Sequence, residues 1–172
     1  MNFLIIDTSS PQSFVALSKK GVLTVKLLPS PNQSQTLLPA IEKLLENQTL
    51  EFIAIGIGPG AFTGTRVGVM AAKALSFAKK IPLLPFCSLK IFTPEANGPF
   101  SIIGDAKSQG FYSLKGRKEG QLVTYEAPTL TPNGEVSNTL NLPLLASFLY
   151  DKFQRIGPTS HQDVAVSYLT TL

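Results

Sequence analysis

The thirteen residues GIGPGAFTGTRVG, Gly56 to Gly68, decide how this chain of 172 residues is read. They hold five glycines and a proline, follow the apolar run Phe52, Ile53, Ala54 and Ile55, and open into VMAAKALSFAKK, Val69 to Lys80, which has helical apolar spacing. The order is strand, glycine-rich turn, helix. Such a turn supplies conformations that only glycine tolerates and leaves N–H groups at a helix start, where an anion or another backbone can come close. Two known glycine codes fail here. Walker A needs Lys after its last Gly, whereas Gly64 is followed by Thr65 and Arg66, and no G-x-G-x-x-G threads through Gly56, Gly58, Gly60 and Gly64.

In the helix that follows, Val67, Met70, Ala71, Ala74, Leu75 and Ala78 recur at the spacing of one buried face. Val69, Ala72 and Phe77 lie off that stripe, which leaves only Arg66, Lys73, Ser76, Lys79 and Lys80 for water. A helix apolar on nearly all sides is covered on more than one, so one face is expected on a sheet and the other on a second helix or a second subunit.

The chain is 44% apolar and 15% charged with a net charge of +4, which fits one domain or two small lobes with a real core. The lysines are scattered as short pairs and one small cluster (Lys115, Arg117, Lys118), without the interleaved aromatics of a single-strand-binding platform. Tight, direct nucleic-acid binding is therefore the minority reading. The single cysteine, Cys87, sits among apolar neighbours and reads as a small buried hydrophobe in a reducing compartment. No apolar run is long enough to span a bilayer and no basic region precedes Phe3 and Leu4, so a cytoplasmic protein is expected.

Around the central stretch, Phe3 to Ile6 reads as a buried strand ending in the turn Asp7, Thr8, Ser9, Ser10. Ser13 to Ser18 and Val22 to Leu28 complete a meander. Asp7 and Thr8 stand where sheet proteins place ligand-facing residues, and they equally suit plain turn chemistry. Leu37, Leu38, Ile41, Leu44 and Leu45 mark an amphipathic helix capped by Ser34 or Thr36, with Pro39 in or near its first turn. Ile81 to Leu84 is the next strand and Ser88 to Phe92 a short helix. Glu95 to Pro99 marks a boundary between a lobe over 1–96 and a shortened one over 97–172. The pattern then starts again: strands at 100–103, 110–114 and 121–126, with Asp105 in the place Asp7 has in the first lobe. A polar stretch over 131–141 follows, then a helix over 142–153 and a last short one over 160–172 with Ser160 as cap.

This duplicated α/β order, with mixed sheets and flanking helices, resembles the fold shared by actin, sugar kinases and heat-shock chaperone ATPases (the ASKHA, ribonuclease H-like fold). IIDTSS, QSQTLLPAIEKLL, the glycine stretch with its helix, DAKSQGFY and the closing VSYL together resemble the TsaB (YeaZ) family of bacteria, in order and across most of the chain. Gln33, Ala61 and Thr65 depart from its usual His, Ser and Leu. The resemblance implies a paralogue of TsaD that supports threonylcarbamoyladenosine formation at position 37 of tRNA. The implied partners are TsaD as catalytic subunit and TsaE as ATPase, with self-pairing when alone and tRNA touched at most indirectly.

Relatives of the fold that hold ATP or a metal carry a glycine in the first phosphate turn and a pair of histidines on a helix. Here Ser9 and Ser10 follow the first Asp, and His161 is the only histidine. One His supplies no metal centre of protease type, and no G-x-S-x-G surrounds a serine that would make a triad of Ser88, His161 and Asp105. The expectation is a scaffold with no catalytic site, no metal and no cofactor of its own, though a nucleotide at the joint with a partner is compatible with it. Leu37, Leu38, Ile41, Leu45, Val69, Met70, Lys73 and Phe77 are expected at the helical interface. Asp7, Thr8, Gly58, Gly60, Thr63, Gly64 and Arg66 are expected at the glycine turn, where an anion or nucleotide would sit. The alternative is a small phosphotransferase or nucleotide hydrolase built on Asp7, Thr8 and that turn.

Overall fold

The computed structural model describes residues 1–29, 32–46, 48–157, 159 and 163–169. Its first sheet has the order β3-β2-β1-β4-β5, made of β1 (Asn2–Asp7), β2 (Phe14–Lys19), β3 (Val22–Leu27), β4 (Phe52–Gly56) and β5 (Leu83–Phe86). The β1, β4 and β5 strands run parallel, and β2 and β3 form an antiparallel meander at one edge. Lys20 and Gly21, at φ 50° and 83°, turn the β2–β3 hairpin in two residues, the left-handed pair such a tight connection requires.

Alternation along the strands sends residues to two faces. Leu4, Ile6, Val15, Leu17, Ile53 and Ile55 face α1 (Gln33–Leu45) and α2 (Phe62–Lys79). Phe3, Ile5, Phe14, Ala16, Phe52 and Ala54 face α3 (Leu142–Ile156). Three buried leucines of α3, Leu142, Leu145 and Leu149, seat it there, each contributing about 2 kcal/mol of burial. Phe153 stacks on Phe52 at 4.2 Å, and Phe52 on Phe3 at 4.5 Å.

The second sheet is antiparallel: β6 (Gly98–Asp105), β7 (Phe111–Glu119) and β8 (Leu122–Tyr125), with β9 (Thr129–Thr131) also pairing to β7. A short 3-10 helix, Ser88–Phe92, joins the halves, and its Leu89 packs with Ile102 and Leu114. Its Lys90 carries its ammonium between the rings of Tyr125 (4.2 Å) and Phe148 (4.3 Å). Burial lowers its pKa to about 8. Neighbouring Cys87 is half-buried against the same cluster, and burial pushes its thiol pKa up.

Several expectations are corrected. Pro39 lies well inside α1, on its exposed side, where it forgoes one helical N–H hydrogen bond. The helix begins at Gln33 after Asn32, ahead of both Ser34 and Thr36. The β5 strand is displaced to Leu83–Phe86 because the parallel register pairs Ile53 with Leu83 and Ile55 with Pro85. Residues 163–169 form no helix. They return to the first sheet, with Val164 in its core and Ser167 N donating to Ile57 O at 2.7 Å. Ser160 and His161 lie outside the described residues.

The largest correction concerns α2. Its sheet-facing side is Thr65, Gly68, Val69, Ala72 and Ser76, not the aliphatic stripe through Met70, Ala74 and Ala78, which is exposed; Val67, Ala71 and Leu75 are half-buried at its border. Close approach to the sheet requires small side chains: a Cβ at Gly68 would lie 2.3 Å from Thr8 Oγ1. Ser76, expected in water, instead donates to Ile81 O at 2.5 Å beneath the helix. No described helix is long and apolar enough to cross a membrane.

Candidate functional site: a cleft between the sheets and an open helical face

The C-terminal ends of β1, β4 and β5 bring Asp7, the glycine turn and Ser88 side by side. Asp7 is fully buried. Its Oδ1 accepts from Ser9 N at 2.9 Å and Ser9 Oγ at 2.7 Å, whereas Oδ2 has no hydrogen-bond partner among the described residues. Burial raises the carboxyl pKa, opposed by the nearby Ser88 hydroxyl and by the Ser9 hydroxyl and N–H. Ser88 Oγ itself accepts from Gly58 N at 2.9 Å, and Ser88 N donates to Gly58 O at 2.8 Å. Gly56 gives Asp7 its room, since a Cβ there would sit 1.8 Å from Oδ2.

The other glycines bring two backbones into contact. Ala61 N donates to Ser9 O at 2.6 Å and Thr8 Oγ1 to Gly64 O at 2.7 Å. A Cβ at Gly60 or Gly64 would fall 2.4 Å from Ser9 O or 2.2 Å from Thr8 O. The glycine turn thus packs on the Asp7–Ser9 turn of its own chain, and α2 enters the fold at the angle this contact sets.

Beyond the two turns lies a cleft of about 960 Å³, lined by Thr8, Gly60, Thr63 and Gly64 on one side and Asp105, Lys107 and Tyr112 on the other. Asp7, Gly58 and Arg66 do not line it. Asp105 Oδ1 accepts from Lys107 N at 2.7 Å and Oδ2 from Lys107 Nζ at 2.5 Å, and this pairing holds the carboxyl below its usual range. Gln12 Nε2 donates to Asn138 O at 2.8 Å, joining the turn after β1 to the segment after β9. Arg66 Nε donates to Tyr168 Oη at 2.8 Å, with its guanidinium 3.7 Å over the Phe62 ring. Among the described residues no group of three or more His, Cys, Asp or Glu could hold a metal.

The expected interface residues divide. Leu38 (58% exposed), Met70 (65%) and Phe77 (75%) are open on the α1/α2 side, with Lys73 half-buried beside them. Leu37, Ile41, Leu45 and Val69 are buried in the chain's own core and are unavailable as contacts. The sheet takes them because they project from the inner sides of the two helices. The sequence does not mark Gln12, Lys107 or Tyr168 as site residues, and it offers Ser88 only for a triad that lacks its elbow. Ser88 was within reach: it follows β5, whose parallel neighbours end at Asp7 and Gly56.

A 3-2-1-4-5 sheet with helices on both faces, set across a cleft from a second, antiparallel sheet, is an arrangement of the actin-like ASKHA class. A family model described as TsaD, tRNA N6-adenosine threonylcarbamoyltransferase, matches residues 27–130. The chain is 35% identical over 95 residues to the tRNA threonylcarbamoyladenosine biosynthesis protein TsaB of Haemophilus influenzae, covering 52% of this chain and 40% of that protein. It is 34% identical over 105 residues to TsaB of Bacillus subtilis, covering 57% and 45%. The matches thus span less than half the length of these relatives. Among solved structures, an uncharacterized protein from Pseudomonas aeruginosa with similarity to peptidase YEAZ superposes with a TM-score of 0.87 at 20% identity, over 98% of this chain and 99% of that one. The chain belongs to the TsaD family.

Proposed function

We propose that this chain is a TsaB-type subunit that supports threonylcarbamoyl transfer to adenosine 37 of tRNA through a protein interface and performs no catalysis itself. The observation that carries this reading is the open apolar side of α1 and α2, where Leu38, Met70 and Phe77 stand exposed while the same helices seat fully on their own sheet. Large exposed apolar side chains grouped on adjacent helices mark a contact surface. The partner is a TsaD-like catalytic subunit, with a TsaE-like ATPase completing the assembly. In their absence a second copy occupies the helical face. No cofactor belongs to the chain alone; a nucleotide, if one takes part, sits at the joint with the partner. The place of action is the cytoplasm.

The phosphotransferase alternative draws less support from the geometry. Asp105 is already paired with its own Lys107. Asp7 is sealed behind Ser9, Gly56 and Ser88, away from the cleft.

Co-elution with a TsaD-like protein tests the proposal. Met70→Glu and Leu38→Glu alter exposed positions, so each is expected to fold with an unchanged melting temperature and to lose co-elution. Ile41→Glu, by contrast, should unfold the chain, because Ile41 is a core residue. Full retention of the partner by both exposed-site variants overturns the assignment.

A further inference from the structure

The chain has two methionines and one cysteine, and the fold places their sulfur atoms in unlike surroundings. Met1 is half-buried against the α3 side of the first sheet, and its Sδ accepts a hydrogen bond from Gln154 Nε2 at 3.7 Å. Cys87 is also half-buried, and burial favours its protonated thiol, the form that reacts slowly with peroxides. Met70 is 65% exposed on α2. A thioether needs no deprotonation to react, so its oxidation follows exposure. Met70 is therefore the first sulfur an oxidant meets.

Its place on the helix gives that reaction a consequence. Arg66, Met70, Lys73 and Phe77 recur at the spacing of one helical face, and Leu38 opens on the same side of the molecule. The side of α2 that seats on the sheet is Thr65, Gly68, Val69, Ala72 and Ser76, and Met70 takes no part in it. A change confined to the Met70 sulfur thus leaves the core untouched and alters only the open face. Oxidation turns a soft apolar sulfur into a strongly polar sulfoxide. In the free chain water satisfies the new oxygen. Against an apolar partner surface that hydration must be given up, and burying a polar group without a partner opposes association.

We infer that Met70 is a redox-sensitive site of the docking face, whose conversion to the sulfoxide releases the partner while the chain stays folded. The inference rests on the helical contact proposed above and adds its regulation. The oxidant is a peroxide. The Met70 sulfur attacks one oxygen of hydrogen peroxide with a lone pair, the O–O bond breaks as the S–O bond forms, and the departing hydroxide takes the proton of the transferred oxygen and leaves as water. Sulfur is oxidised and peroxide reduced. A thiol-dependent methionine sulfoxide reductase reverses the step, a pair of thiols closing to a disulfide as the oxygen departs as water.

The test treats the full chain with hydrogen peroxide, removes the peroxide, and only then adds the TsaD-like protein. Peptide mass mapping is expected to find the extra oxygen on Met70 ahead of Met1 and Cys87, with the melting temperature of the treated chain unchanged. Titration calorimetry is expected to show binding weakened by about tenfold or more, and restored after incubation with the reductase and dithiothreitol. In Met70→Leu, whatever its starting affinity, peroxide treatment is expected to leave that affinity where it stood. Oxidation of Met1 at the same rate as Met70, a treated chain that binds as tightly as the untreated one, or a peroxide-dependent loss that persists in Met70→Leu each overturns the inference. Those results leave the helical contact standing as long as Met70→Glu and Leu38→Glu lose the partner. Retention of the partner by both of these variants takes down the contact and its regulation together.

Discussion

Replacing Gly68 by alanine tests whether the seating of α2 is fixed by Thr8. A new Cβ would lie 2.3 Å from Thr8 Oγ1, with Ile55 Cδ1 and Thr8 Cβ at an ordinary 3.6 Å. The hydroxyl cannot swing aside without giving up its 2.7 Å bond to Gly64 O. Overpacking costs about 1–3 kcal/mol and the lost hydrogen bond about 1 kcal/mol, against a gain of about 1 kcal/mol for alanine over glycine inside a helix. Gly68→Ala should therefore destabilise the wild-type chain by about 1–3 kcal/mol. In a Thr8→Ala background the obstacle is gone, and the same substitution should stabilise by about 1 kcal/mol. Urea unfolding of the four proteins gives the coupling energy, expected at about 2–4 kcal/mol with a change of sign between backgrounds. The same sign and size in both backgrounds would refute the seating described above.

Other outcomes follow from the same geometry. Gly56→Ala should be far more damaging than Gly21→Ala: the first drives a Cβ to 1.8 Å from the buried Asp7 carboxylate, the second meets nothing within 4 Å and strains only its backbone, and thermal melts of the pair rank them. Asp7→Asn keeps an acceptor for Ser9 and removes a buried charge. Because the carboxyl pKa in the fold is raised above 3.8, the ionised form costs stability as pH rises through that window, so the variant should outlast wild type in urea at pH 7 and lose its advantage in acid. Equal stability at both pH values would count against it. For Lys90 the folded pKa is lowered from 10.5 to about 8, so the unfolded chain binds the extra proton between these values and stability rises with pH across them. Lys90→Met should remove that part of the slope; Lys152, also lowered by burial, retains its own share.

Much of the first sheet was legible. The Phe3–Ile6 run is a central strand because both of its faces are covered, and the Gly56–Gly68 stretch is a strand-turn-helix passage because apolar run, glycines and helical spacing occur in that order. The rotation of α2 was not legible. Hydrophobic spacing ranks residues by greasiness, whereas the sheet accepts those small enough to let the helix approach, and Gly68, Ala72 and Ser76 carry no apolar signal to match Met70 or Leu75. For the same reason the pattern placed Leu38 and Ile41 together, although only Leu38 is open. In the second half α3 was visible as a helix. Its return to the first sheet rests on Phe153 reaching Phe52, a contact across about a hundred residues that no local window contains. The roles of Ser88 and Lys107, a clasp on Gly58 and a counter-charge for Asp105, were not legible because they exist only once strand ends converge.

The small-residue seat of α2 also makes its two sides interdependent. Since the inner contact determines which way the helix is turned, substituting a buried glycine or threonine swings Met70 and Phe77 to new bearings, and a partner could be lost through an altered residue it never touches. Variants that disable assembly should therefore be sought underneath the docking helix as well as on top of it.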